Sequence, residues 1–245
     1  VRLLRWLTVA LAVSGTAALV LASRSTARPL TLIASVSPAM NFAYVRVEGV
    51  VLAYPTLAPE GDYLSFHVQD ASGDIRVSAY RAVCAELLAA GRVPMPGDVV
   101  AVEGTLRVRD EEPSLVLNMA DGLSASRPPA RPIALAALDA LPLGARVTVA
   151  GQVRQVRDVS GALRIVSLRR GDAQADLVFP LELARVAGEP PPLAPGDWIT
   201  ATGGVGVYRD KRQVLPTRAD LVARQPAAGA SAALLDLRPI GALDR

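Results

Sequence analysis

Cysteine and histidine each occur once in 245 residues, as Cys84 and His67, and Lys211 is the only lysine. One cysteine can form neither an internal disulfide nor a C-x-x-C zinc or redox pair. One histidine cannot build a multi-histidine metal site, and any Ser-His-Asp mechanism would have to run through His67. G-x-S-x-G, Walker-type phosphate loops and H-E-x-x-H are also missing. No catalytic residue, metal or cofactor is therefore expected, and the chain reads as a binding protein and not an enzyme. The lysine deficit carries no functional weight. Of 26 basic residues all but Lys211 are arginine, which beside abundant alanine reads as GC-rich coding bias. A composition 51% hydrophobic and 20% charged excludes disorder for most of the chain, and the length suits one or two domains.

The one long apolar run lies at the N-terminus. Trp6 to Ser23 carries no charge over 18 residues, near the lower limit of about 17–25 for a membrane-spanning helix. Residues 3–22 are the expected single membrane anchor. Val20-Leu21-Ala22 before Ser23 also suits a signal-cleavage site, so residues 1–28 are either an anchor or a removed signal. A third alternative, a buried core helix, is set against the lack of any polar face. No cysteine follows the run, which excludes a lipoprotein anchor. Arg2 and Arg5 on one side and Arg24 and Arg28 on the other leave orientation undecided. A lone N-terminal segment ahead of a folded body places that body, as the default, outside the cytoplasm.

The body contains one unit twice. Copy one runs Val45-Arg-Val-Glu-Gly-Val-Val51, then Tyr63-Leu-Ser-Phe-His-Val-Gln69, Asp70-Ala-Ser-Gly73 and Asp74-Ile-Arg-Val-Ser-Ala-Tyr80. A helical stretch from Arg81 to Gly91 precedes Pro96-Gly-Asp98, Val99 to Gly104 and Ser114-Leu-Val-Leu-Asn118. Copy two starts at Arg146-Val-Thr-Val-Ala-Gly151, has its helical stretch at Leu181 to Ala187, and resumes at Pro195-Gly-Asp197 and Trp198 to Gly203. Gly49 matches Gly151, Pro96 matches Pro195 and Gly104 matches Gly203. The alternation of Leu64, Phe66 and Val68 with Tyr63, Ser65, His67 and Gln69 has period two and predicts a half-buried strand. Asp70–Gly73 predicts a hairpin turn, because Asp and Ser bond local backbone and Gly accepts positive φ. Gly104 and Gly203 predict a bend or bulge at a barrel corner. Each copy thus reads as five short strands with one helix, and the fold class as all-β.

This pattern resembles the OB-fold of the anticodon-binding, nucleic-acid-binding type. It covers residues 42–122 closely and 143–223 more loosely, with Arg127-Pro-Pro-Ala-Arg-Pro132 as an extended linker and 224–245 as a flexible tail. The resemblance implies two tandem barrels and a binding face on strands two and three with the adjoining loops. In copy one that face is Tyr63, Ser65, His67, Gln69, Arg76, Ser78 and Tyr80, where aromatics stack bases and Arg76 meets phosphate. In copy two it offers Arg164, Arg169, Arg170 and Asp176, with Arg209, Lys211 and Arg212 in the turn after Tyr208 as a basic tip. The alternative for each set is an ordinary solvated strand face or hairpin tip. His67 is expected on the surface, and Cys84 as a small buried apolar residue.

Charge is uneven. Residues 30–126 hold six arginines against twelve acids, and 127–225 hold fourteen basic residues against nine acids. Because phosphate neutralisation dominates non-specific affinity, single-stranded nucleic-acid binding is expected to be weak and led by the second copy. The rival function is an exported protein-interaction or envelope-assembly module. An anchor followed by an OB barrel also resembles the haem chaperone of cytochrome c maturation. That family carries a His or Cys just after the barrel, with a Tyr four residues on. The matching Ala120–Ser126 holds neither, so haem transfer is disfavoured.

Overall fold

The computed structural model describes residues 14–16, 30–109 and 112–225. The expected anchor, residues 3–22, lies outside them except for a helical turn at 14–16, and the tail from 226 lies outside as well. Among the described residues no helix is long and apolar enough to cross a membrane.

Alternating apolar residues build two sheets. The first contains β1 (Tyr44–Val51), β2 (Thr56–Leu57), β3 (Tyr63–Gln69), β4 (Asp74–Tyr80), β5 (Val99–Arg109), β6 (Glu112–Val116) and β7 (Leu123–Ser126). Its main strands run in the order β1-β3-β4-β6-β5, and β1 pairs with β5 to close the barrel. The second contains β8 (Arg131–Pro132), β9 (Arg146–Val159), β10 (Leu163–Arg170), β11 (Ala173–Pro180), β12 (Trp198–Tyr208), β13 (Lys211–Pro216) and β14 (Val222–Arg224). Its main strands follow the same order, β9-β10-β11-β13-β12, closed by β12 on β9. Counting only the main strands, both sheets read 1-2-3-5-4-1. All neighbours are antiparallel except the third and fifth, β4 with β6 and β11 with β13. That is the five-stranded Greek-key arrangement of an OB barrel.

Each barrel has its own core, and the period-two reading selects its residues. Phe66, Val68, Ile75, Val77, Val100 and Val102 are buried in the first, and Val147, Val149, Leu177 and Ile199 in the second. Helix α1 (Arg81–Ala89) closes the end of barrel one by burying Cys84 and Leu87, three residues apart on one face. Its counterpart is a 3-10 turn (Leu181–Leu183) running into the short α2 (Ala184–Ala187).

The glycines of the repeat sit where a strand changes partner. A Cβ on Gly49 would lie 2.3 Å from the Gln69 carbonyl oxygen, and one on Gly203 2.3 Å from that of Leu215. Pairing stays in register through Gly104 and Gly203, so these corners are turned by close approach and not by a bulge. The bulge in barrel two lies elsewhere, between β9 and β10 at Ser167/Leu168.

The repeat is longer than its sequence pattern. Leu30 bridges Arg46 in parallel, and Ile33, in a 3-10 turn, enters the first core. In the same way β8 pairs in parallel with β9, and Leu135 and Leu138 enter the second core. β7 and β14 each add a strand to the fourth strand of their barrel.

The barrels touch through a built seam. Gly97 and Gly204 pack so closely that a Cβ on Gly204 would meet the Pro96 backbone at 2.8 Å. From the loop after β1, the Tyr54 hydroxyl donates to the Val178 and Pro216 carbonyls, at 2.9 and 2.6 Å. Burial pushes that phenol well above its ordinary pKa. Arg185 of α2 donates to the carbonyls of Ala58 and Pro59, and Ala187 joins the core of barrel one.

Candidate nucleic-acid interface

Cross-strand register assembles the outer face of barrel one in rows. Tyr63 stands opposite Tyr80, and their ring centroids are 5.1 Å apart at 48°. Tyr80 is half exposed. Four residues along β3, about 13 Å at 3.3 Å per residue, His67 stands opposite Arg76. That row continues through Ser114 to Arg107. The face therefore carries an aromatic pair at one end and a basic row at the other, the combination that single strands need for stacking and phosphate contact.

Two further features tune it. Burial alone would raise the Tyr63 phenol. Hydrogen bonds with Ser65 and Ser78 and the Arg76 charge reverse that and hold it below the ordinary value. His67 Nδ1 lies 3.2 Å from Asp74 Oδ2, both side chains being more than half exposed. Asp70 is spent on its own turn and on the 3-10 turn at Ile33. It accepts from the backbone N–H groups of Ile33, Ser72 and Gly73 and from the Ser72 hydroxyl. Burial works against ionisation there, but these bonds prevail and lower its pKa to about 2.

The expected face is narrower than its sequence suggests. Ser65 and Ser78 are buried. β2, too short to show a period, pairs Thr56 against Ser65, and the Tyr63 hydroxyl lies 3.3 Å from Ser78 Oγ. The face also extends beyond the reach of any strand pattern. Phe42 is exposed, with φ +69, and the Arg107 guanidinium lies 4.5 Å from its ring centroid. An isolated Phe ahead of β1 gives no signal, because only the fold brings it beside Arg107.

Barrel two does not repeat the face. The positions of Tyr63 and Tyr80 are taken by Leu163 and Pro180, a facing pair in the same register. The positions of His67, Arg76, Ser114 and Arg107 are taken by Ser167, Asp176, Gln213 and Gly206. Ser167 donates to Asp176 at 2.6 Å. Arg164 makes a forked pair with Asp158 at 2.8 and 2.9 Å, which raises the arginine and lowers the carboxylate. Arg169 and Arg170 are exposed, and Arg169 Nε donates to the Gly171 carbonyl of its own turn. Val178, on this side of β11, is buried, and its carbonyl receives Tyr54 of barrel one.

The basic tip divides. The turn after Tyr208 is only Arg209-Asp210, both at positive φ, so Lys211 and Arg212 already belong to β13. Strand alternation then sends them to opposite sides. Lys211 shares the outward side with Gln213, while Arg212 lies on the side of buried Val214. Arg209 rests over the exposed Tyr208 ring at 5.2 Å. Two non-glycine residues in a turn that favours Asn-Gly leave no sequence signal of its length.

No family model matches the sequence, and no curated protein matches it. Among solved structures, the chain is similar to a replication protein A heterotrimer bound to ssDNA, at 13% identity and TM-score 0.38, over 84% of this chain and 54% of that one. It is also similar to the S. pombe Stn1-Ten1 complex, at 10% identity and TM-score 0.28, over 38% of this chain and 67% of that one. The chain thus spans about half the length of the first of these. Its assignment as an all-β protein of two OB-type barrels stands on strand order.

Proposed function

We propose that the chain is a membrane-anchored, non-enzymatic binding protein that takes single-stranded nucleic acid weakly on the outer face of barrel one. The observation that carries this reading is the juxtaposition of the Tyr63–Tyr80 pair with the row His67, Arg76, Ser114 and Arg107 on one sheet surface. Barrel two is the more basic, but its equivalent row is uncharged apart from Asp176, and part of that sheet is covered by barrel one. Its contribution is the exposed Arg209 and Lys211, held at the β12–β13 tip for phosphate. The acidity of barrel one weakens the interaction and is one reason to expect low affinity, although ion pairs offset part of it locally, at Asp98 with Arg127 and at Glu48 with Arg46. Residues 3–22 hold the barrels at a membrane, on its extracytoplasmic side, where the nucleic acid met would be extracellular.

The test is fluorescence anisotropy of the full chain in mild detergent with a labelled single-stranded oligonucleotide at two salt concentrations. Micromolar or weaker binding that fades toward physiological salt is expected. Tyr63→Ala and Tyr80→Ala should each cost about 1–3 kcal/mol at either salt concentration. No binding at low salt overturns the reading and favours a protein-interaction module. A reporter fused after Arg245 tests the side of the membrane.

A further inference from the structure

Ahead of β1, the chain makes a tight turn whose third residue is the wrong type for it. The Ala43 N–H donates to the Met40 carbonyl at 2.8 Å. Asn41 has φ −55 and ψ 131, and Phe42 follows at φ +69. Those are the angles of a type II turn, which takes glycine or asparagine at its third position because φ is positive there. A phenylalanine in that place carries backbone strain that glycine would not. Burial does not offset the strain. Met40 and Ala43 pack against the core of barrel one, whereas Phe42 leaves 63% of its surface exposed. The Arg107 guanidinium lies over its ring, 4.5 Å from the centroid. Strain on an exposed aromatic residue points to a task other than folding.

Register places this ring relative to the tyrosine pair. Tyr80 stands four residues along β4 from Arg76, about 13 Å. From Arg76 the row crosses Ser114 to Arg107, and Phe42 lies one strand position further. Three strand spacings of about 4.8 Å make about 14 Å, so Tyr80 and Phe42 are about 20 Å apart over the sheet surface. Both stay on one side of the barrel. Followed once round from Val50, through Gln69 and Asp74, the cross-strand partners return to the first strand about ten residues earlier, the shear of a closed barrel. With that stagger, the step from Tyr80 to Phe42 runs along the barrel axis and not around it, with Arg76 and Arg107 flanking the path.

We propose that Phe42 is a second stacking platform for a nucleobase. The outer face of barrel one then takes a strand with bases on Tyr80 and Phe42 at its ends and phosphates on Arg76 and Arg107 between them. This rests on the outer-face reading and gives that site its length. At about 6 Å per nucleotide, an extended strand spans the gap with about four or five nucleotides, near the lower end of the roughly 4–16 that an OB fold covers.

Fluorescence anisotropy of the full chain in mild detergent tests this, with labelled oligothymidylates of three and eight nucleotides at two salt concentrations. The parent should bind the longer oligomer at least about five-fold more tightly. Phe42→Asn should lose about five-fold or more on the longer oligomer, equally at both salt concentrations, because salt screens phosphate contacts and not stacking. Phe42→Tyr should keep the parent affinity. Urea denaturation supplies the control. Asparagine suits the turn, so Phe42→Asn should be at least as stable as the parent, and its loss of binding then does not come from misfolding. The proposal is overturned if Phe42→Asn binds the longer oligomer as the parent does or if the parent gains nothing from length. It is overturned as well if Phe42→Asn is the less stable chain, which would give Phe42 a structural task. Failure of the outer-face reading looks different, with no oligonucleotide of either length bound at low salt, and that result removes the platform with it.

Discussion

Asp98 and Asp197 hold the same place in the two repeats, each accepting from the backbone N–H three residues before it and each paired with an arginine, Arg127 just after β7 and Arg224 at the end of β14. Their surroundings set different energies. The Asp98 side chain is 4% exposed, between Arg127 at 37% and the buried Arg146 at 6%, whereas Asp197 and Arg224 are 25% and 55% exposed. Removing one partner of a buried pair strands the other charge and costs about 3–5 kcal/mol, while an exposed pair is worth about 0–1 kcal/mol. Asp98→Asn should therefore destabilise the chain by about 3 kcal/mol and Asp197→Asn by about 1 kcal/mol or less, read from urea denaturation midpoints. Asp70 makes a separate prediction. Its folded pKa of about 2 lies below the unfolded value near 3.9. Its contribution is thus fully present above pH ~4 and lost as the pH falls toward 2. Asp70→Asn should flatten the stability curve across that window in acid titrations followed by circular dichroism, and an unchanged slope would count against the turn's role.

At the scale of elements, the main strands and their buried faces are legible in the sequence, because period-two alternation in β3, β4, β5 and β9 runs over seven residues or more. The parts that escape are short. β2 and β8 have two residues each, and the inserted turns around Ile33 and Leu135 show no period. The Leu30 bridge before Ile33 and β8 before Leu135 show their equivalence only in pairing, each running parallel to the first main strand of its barrel, whereas β2 has no such counterpart. The candidate face is half legible for the same reason. Tyr63, His67, Arg76 and Tyr80 follow from alternation alone. The burial of Ser65 where β2 pairs with β3, the approach of Phe42 to Arg107 and the separation of Lys211 from Arg212 depend on pairing that no local pattern encodes. The corner glycines are legible as corners, and the structure shows what they approach. Gly104→Ala would place a Cβ 2.4 Å from the Val116 carbonyl oxygen. It should cost about 3 kcal/mol or more, at or beyond the usual range for overpacking, measurable by chemical denaturation. For the β12–β13 tip, replacing Arg209 and Lys211 by Gln should lower the salt slope of oligonucleotide binding by about 0.7 log units for each phosphate no longer neutralised. Arg212→Gln should leave the slope unchanged.

For the whole molecule, two copies of one strand order present different outer faces. The two barrels share strand order, corner glycines and the Pro-Gly-Asp turn, yet only the first keeps aromatic and basic residues on its outer sheet. The second has Leu163 and Pro180 where those tyrosines stand, and it offers carbonyls and Arg185 to the seam. The seam's tight glycine packing and the joining of Ala187 to the first core put the two barrels in direct contact, which no scan of either copy could reveal. The proposed seat of the nucleic acid is the outer face of barrel one. Photocrosslinking tests it most directly, with a single-stranded oligonucleotide carrying 5-iodouracil, low salt, the full chain and mass-spectrometric mapping of the adducts. The account predicts crosslinks at Tyr80 and Tyr63, abolished by their replacement with Ala. Adducts confined to barrel two, or equal adduct yield in the Tyr63→Ala/Tyr80→Ala double variant, would contradict it.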